Sequence, residues 1–254
     1  VRSKLAWEMF RYLGVPGSRS NHILLYINNS FYGVYLNTEH IDERFVKSRF
    51  DNNDGNLYRN LWPADLAYLG SAQSAYKYEY EGRRAYALRT NEDWDDYIDL
   101  AKLITTLDQY SGEQLKDELE KLINVQQYLK VMAVDVMSGN WDGYSGDKNN
   151  YYLYRDQATG RFEYIPYNLE NSFGIDFRGE DWSARSIYSW NLDLRPLYEK
   201  IIEVEAQANE VDFDSLSRKE RIKIFAKASA RLKQMETTGH LKALVAELFG
   251  ASSQ

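Results

Sequence analysis

The sequence contains no cysteine in 254 residues. That excludes disulfides, thiolate nucleophiles and cysteine-type zinc sites, and it leaves the compartment open. Histidine is nearly absent as well. His22, His40 and His240 are too scattered to suggest a histidine-based triad or zinc site. No uninterrupted apolar run approaches the roughly 18 residues that a spanning helix needs. Positive charge is in deficit, with 31 Lys and Arg against 38 Asp and Glu and a net charge of −7. This argues against a uniformly basic nucleic-acid binder and leaves room for a local basic patch. No signal-peptide pattern is present, and the first residue is Val1. The chain is therefore expected to be a mature form or a piece of a longer product. Also missing are G-x-G-x-x-G, the P-loop, H-E-x-x-H and G-x-S-x-G. S-x-x-K occurs at Ser74/Lys77 and Ser145/Lys148 without its companion motifs, which reads as chance.

What is present is a globular composition, 44% hydrophobic and 27% charged, of a length that suits one or two domains. Aromatic residues reach 15%, with 21 Tyr and 6 Trp. Such rings suit sugar, peptide or base recognition, but an aromatic-rich core is the plainer reading.

Apolar spacing predicts a helix over 3–13, stopped by Gly14 and Pro16. The runs 22–26 and 31–36 predict a hairpin around Asn28-Asn29-Ser30. A short helix is expected over 41–50. The Asp51–Gly55 stretch is only faintly like a calcium loop and reads as a plain turn. Short strands and loops are expected over 57–89. Thr90 or Asn91 is predicted to cap a helix whose first turn is Glu92-Asp93-Trp94-Asp95-Asp96, since acids favour helix N-termini. Further helices are predicted over 113–122 and 124–137, the latter opened by an Asn124/Gln127 capping box. A break at Gly139–Gly143 precedes a hairpin of 151–155 and 161–166. Helices are predicted over 194–208, 217–235 and 241–249. The basic residues of 217–233 are expected to form a solvated face. The class is α+β, with antiparallel hairpins and a helical C-terminal part.

Chemistry concentrates between Ser138 and Gly174. An acid, Asp142, follows a helix. Asn149 and Asn150 precede a strand, and Tyr167–Gly174 adds polar oxygens after the next strand. Kinase-like phosphoryl transfer uses such an order: one carboxylate orients the hydroxyl, while an Asn and a second acid hold magnesium. Asp142, Asn150 and Asn171 could equally be turn caps.

Several blocks resemble the CotH kinase family, atypical protein kinases similar to spore coat protein H. They are Arg2–Ala6 with Leu13–Pro16; Leu25–Asn28 with Tyr32–Tyr35 and Glu39; Asn56–Arg59; Leu88–Asn91 with Asp96-Tyr97; Gly139–Asp142; Asn150–Tyr154; and Ile165–Gly174. The resemblance covers about residues 2–174 and fades in the helical tail.

It implies a reduced, atypical protein-kinase-like fold. It also implies a secreted, cell-surface or spore-coat protein of a bacterium that uses ATP with Mg²⁺ or Mn²⁺ to phosphorylate Ser/Thr of a protein partner. One domain over 1–254 is expected, strand-rich over 1–90 and helical over 91–254. By resemblance Asp142 takes the catalytic-acid position, and Asn150, Asn168 and Glu170 the metal positions. Glu39 and Arg59 take cofactor-binding positions, Glu39 as the acid that pairs with an ATP-binding lysine. Asp142, Asn150 and Asn168 are expected to converge on one cleft.

Two departures stand out. Asn168 occupies the first acid of the family's P-W-D-L-D motif, so a charge that holds the metal is lost. The upstream R-G-n-S-S…K-K strand, with its likely phosphate-binding lysine, is absent from the sequence, so N-terminal truncation is expected. Two further readings follow: a degenerate binding or scaffold module, and a secreted carbohydrate-active protein using acids such as Glu39, Asp142 and Glu170.

Overall fold

The computed structural model describes residues 2–174, 176, 177, 179–182 and 195–207, with side chains of the last helix described to 204. The helices predicted over 217–235 and 241–249, and the basic face within them, lie outside the described residues.

The chain opens with α1 (Arg2–Tyr12), which buries Ala6, Trp7, Met9 and Phe10 at helical spacing. The hairpin of β1 (Ser20–Ile27) and β2 (Ser30–Thr38) follows. Asn28 and Asn29 both take positive φ, 49° and 65°, which a tight two-residue hairpin turn requires. Next come α2 (Glu43–Arg49), capped by the Asp42 side chain, and β3 (Leu57–Asn60). Two short strands, β4 (Glu79–Tyr80) and β5 (Arg83–Arg84), pair with each other before β6 (Tyr86–Leu88).

The helical part contains α3 (Ile98–Gln109), α4 (Gly112–Leu122), α5 (Val125–Ser138) and the single turn α6 (Tyr144–Asp147). It is interrupted by β7 (Tyr151–Asp156) and β8 (Arg161–Pro166), and it resumes in α7 (Pro196–Gln207). Four strands form one antiparallel sheet in the order β6-β3-β7-β8. The sheet thus joins strands from both sides of residue 90. The protein is mixed α+β with antiparallel sheets.

A large apolar core spans α1, α3, α4, α5, α7 and one face of the sheet. A smaller cluster of Ile41, Phe45, Val46, Leu57, Tyr152, Tyr154 and Ile165 covers the other face. The aromatic content resolves here: eleven of the 21 tyrosines are under 2% exposed. Several of their hydroxyls donate to backbone carbonyls, four in irregular segments and one, Tyr86, in β6. Tyr76 reaches Gly70, Tyr97 reaches Tyr86, Tyr144 reaches Asp65, Tyr151 reaches Ala64 and Tyr154 reaches Asn52, at 2.6–3.0 Å. Each such bond contributes about 1 kcal/mol, and four of the five pin a loop to the core.

One predicted element is displaced. The acidic stretch 92–96 is not a helical turn, and α3 starts only at Ile98. Tertiary partners claim the supposed caps. Thr90 Oγ1 accepts from Leu57 N and donates to Gly55 O, both 2.8 Å. Asn91 donates to Asp54 O and Asn56 Oδ1. Asp95 pairs with Arg84 and Lys77. Asn91 and Asp95 both sit at positive φ, which ends any helix there.

The Asn124/Gln127 box forms only by half. Asn124 Oδ1 accepts from Gln127 N at 3.1 Å, as a cap does. The Gln127 amide turns instead to β8, donating to Tyr164 O at 2.6 Å and accepting from Tyr164 N at 3.0 Å.

Candidate functional site

Helix α5 ends at Gly139 in the left-handed region, φ 65°, where a glycine carries no Cβ penalty. The chain then folds back tightly. Asn140 N donates to Asp135 O at 2.8 Å, and the Asn140 amide donates to Asp135 Oδ1 at 2.8 Å. Asp135 is 5% exposed, and burial pushes its pKa up to about 7 although the Asn140 bond opposes the rise. At Gly146 a Cβ would lie 1.9 Å from the Trp141 carbonyl, so only glycine lets α6 pass under this loop.

Asp142 is thereby set between α5 and β7 with three asparagine amides around it. Asn149 donates to Oδ1 at 3.3 Å and Asn171 to Oδ2 at 2.8 Å, while Asn150 donates to the Asp142 carbonyl at 3.0 Å. Asn171 belongs to the short 3₁₀ turn Leu169–Asn171 that follows β8. A second tie joins the same segments, Phe173 N to Ser138 O at 2.6 Å. The helix-end loop and the post-β8 turn are therefore one hydrogen-bonded unit.

Asn168 precedes that 3₁₀ turn with φ 51°, and its side chain makes no capping hydrogen bond. With Glu170 and Tyr167 it lines a cavity of about 260 Å³, walled opposite by Trp7, Glu39 and His40. Arg59 Cζ lies 5.2 Å over the Tyr167 ring, and Arg59 Nη2 donates to Tyr167 Oη at 3.3 Å. The predicted residues thus fall in two adjoining groups. Asp142 and Asn150 share the loop. Glu39, Asn168 and Glu170 share the cavity, with Arg59 beside its Tyr167 wall. Asn171 connects the groups.

Glu39 meets arginines, not a lysine. Arg19 reaches it through Nε at 3.1 Å, through Nη2, and through its backbone N at 3.0 Å, and Arg49 reaches its other oxygen. Burial alone would raise the Glu39 pKa, but the two guanidiniums outweigh it and hold the carboxyl below its usual range.

A magnesium or manganese ion takes oxygen donors and keeps several waters. Asn168 and Glu170 suit that demand, and Glu170 forms no ion pair among the described residues. Among the described residues no three His, Asp or Glu side chains gather into a metal cluster. Asn168 and Glu170 offer oxygen donors on one wall of the cavity.

Sequence reasoning missed Arg19 and Arg49 as the partners of Glu39, and the Asp135–Asn140 brace. Arg19, Arg49 and Asp135 belong to no motif, and only the fold brings Arg19, Glu39 and Arg49 together.

Comparison with known proteins gives a consistent family. The sequence model described as CotH kinase protein matches residues 1–227. Inner spore coat protein H of Bacillus subtilis (strain 168) is 29% identical over 184 residues, which is 72% of this chain and 49% of that protein. Spore coat protein homolog 1 of Rhizopus delemar is 23% identical over 181 residues, 69% of this chain and 28% of its own length. Invasin CotH3 of the same organism is 20% identical over 193 residues, 72% and 31% respectively. The chain spans about half or less of the length of these curated relatives. No described helix is long and apolar enough to cross a membrane.

Proposed function

The chain belongs to the CotH kinase protein family, and from that premise we propose a kinase-like domain of a spore coat or cell surface. It binds ATP with Mg²⁺ or Mn²⁺ and directs the γ-phosphate to Ser/Thr of a partner protein, at a rate held down by Asn168. The spore-coat setting rests on the names of the relatives. The observation that carries the chemistry is the Asn171–Asp142 hydrogen bond of 2.8 Å, which fastens the acid-bearing loop to the turn holding Asn168 and Glu170.

Each residue then has a task. Asp142 accepts the proton of the incoming hydroxyl and orients it, its carboxylate fixed by Asn149 and Asn171. Arg59, on the rigid β3 strand, offers charge-assisted hydrogen bonds to an anionic group at the Tyr167 wall. Glu170 and Asn168 would hold the metal, which would supply positive charge against the phosphates. With an amide at 168 one negative charge is missing, so metal affinity falls.

Thermal melting with ATP and Mg²⁺ or Mn²⁺ tests the reading, on this protein and on Asn168→Asp. Ligand binding to the folded state raises the midpoint. A rise is expected in both, larger in the variant, with phosphate transfer to Ser/Thr peptides faster in the variant. No rise in either, in the full-length protein as well, defeats it. Asn168 itself favours a second reading, a nucleotide-binding scaffold. That reading prevails if ATP raises both midpoints and Asn168→Asp still transfers nothing.

A further inference from the structure

A second cavity, of about 300 Å³, lies where α1 turns into β1. Its walls are Arg11, Arg19, Arg49 and the Gly14-Val15-Pro16-Gly17 segment, and no carboxylate is among them. The nearby acids are already shared. Glu8 accepts from Lys4 at 3.3 Å and from Arg11 at 3.1 Å. Glu39 accepts from both Arg19 and Arg49. Four cations therefore face two carboxylates, Lys4, Arg11, Arg19 and Arg49 against Glu8 and Glu39, which leaves two positive charges in excess.

The pocket is held open and in shape. Arg49 stacks over Phe45, with Cζ 4.7 Å from the ring centroid, and Arg49 Nη2 points to Gly17 O at 3.4 Å. A Cβ on Gly17 would lie 3.3 Å from Trp7 and 3.7 Å from Arg11 Cγ, so the missing side chain leaves room beside the Arg11 stem. Guanidiniums present planar forks that match oxyanion edges, and the three on this cavity have only Glu8 and Glu39 as ion-pair partners among the described residues.

We infer that this cavity is a binding site for a phosphate dianion, free or carried on a phosphorylated side chain of a partner protein. The lining carries three guanidiniums and no carboxylate, which suits the several oxygens of a dianion. The site is separate from the nucleotide reading and stands without it. Glu39 links the two cavities without lining both: it lies on the wall of the Asn168 cavity, and the two arginines it binds line this one.

Titration calorimetry at fixed ionic strength tests this, with inorganic phosphate in one arm and a phosphoserine peptide in the other. Saturable binding to one site is expected, weakened about tenfold or more in Arg11→Ala. Arg11→Lys keeps the charge and loses the fork, so it should fall between. Lys121→Ala, on the remote helix α4, should bind like the parent. Tighter binding of the peptide than of phosphate assigns the site to a modified partner. Equal or weaker binding assigns it to the free ion. Absence of saturable heat in both arms overturns the inference, as does an affinity unchanged in Arg11→Ala. Circular dichroism of the Arg11 variants shows that they are folded, since Arg11 is an exposed residue at the end of α1.

Discussion

Asp135 lies under the loop that carries Asp142, with Asn140 as its hydrogen-bond donor. Tyr128, Tyr164 and Tyr198 face it through the core. The unfolded chain titrates this carboxyl near 3.8, and the folded protein near 7. The folded state thus holds a proton that the unfolded state releases. Asp135 therefore lowers stability from about pH 4 upward, and the loss is complete above about pH 7. Asp135→Asn keeps an acceptor for Asn140 and removes the charge. It should melt several degrees above the parent at alkaline pH, a gain on the order of 2–4 kcal/mol. The gain should vanish as pH falls towards 4. Melting curves across pH measure it, and a difference independent of pH refutes the argument. Glu39 has the opposite sign. Its carboxyl is held low by Arg19 and Arg49, so its contribution is present above the ordinary carboxylate pKa and is lost as acid protonates it.

The β1–β2 hairpin is the element that departs most from ordinary surface composition. From Ser20 to Thr38 it contains no Lys, Arg, Asp or Glu. Leu24, Phe31, Tyr32 and Val34 are each about 60% exposed. Strands with open edges are usually blunted by charge, and this pair is not. Leu24→Lys and Val34→Lys should leave the midpoint nearly unchanged, because neither side chain is in the core. Both should reduce concentration-dependent light scattering. A loss of stability with no change in scattering would contradict this.

The hairpin was legible in the sequence, since two β-rich runs flank an Asn-Asn pair. So were α1, α4, α5 and the β7–β8 hairpin, each bounded by a Gly, Pro or cap. The helix itself is present as α3, but its start is misplaced by the acidic stretch 92–96, because side chains that resemble caps are bound by β3, β5 and the Asp54–Asn56 turn instead. The order Asp142, Asn150, Asn168, Glu170 was also readable. That Asn171 would bridge them, and that arginines would claim Glu39, depends on contacts between residues far apart in sequence, such as Asp142 with Asn171 or Arg19 with Glu39, which no short motif encodes.

Across the whole molecule, stability is unevenly distributed. The sheet and α5 are enclosed by the main core on one side and by the Phe45–Ile165 cluster on the other. The β1–β2 pair is a separate two-stranded sheet with mostly exposed residues. Native-state hydrogen exchange should find β7 and β8 amides opening only with global unfolding and β1–β2 amides orders of magnitude faster. Equal protection in both would overturn that division. The half-formed cap at Asn124/Gln127 then acquires a meaning beyond helix initiation. Gln127 supplies both a donor and an acceptor to Tyr164, and Asn124 N donates to Phe162 O at 2.9 Å, so the outer flank of β8 is filled by a side-chain amide and one turn of helix. The opposite flank, β6, is three residues long. The central sheet is thereby covered along β8 and short along β6, and among the described residues β1–β2 is the longest pair with no further strand on either side, the place where another chain would most readily add one.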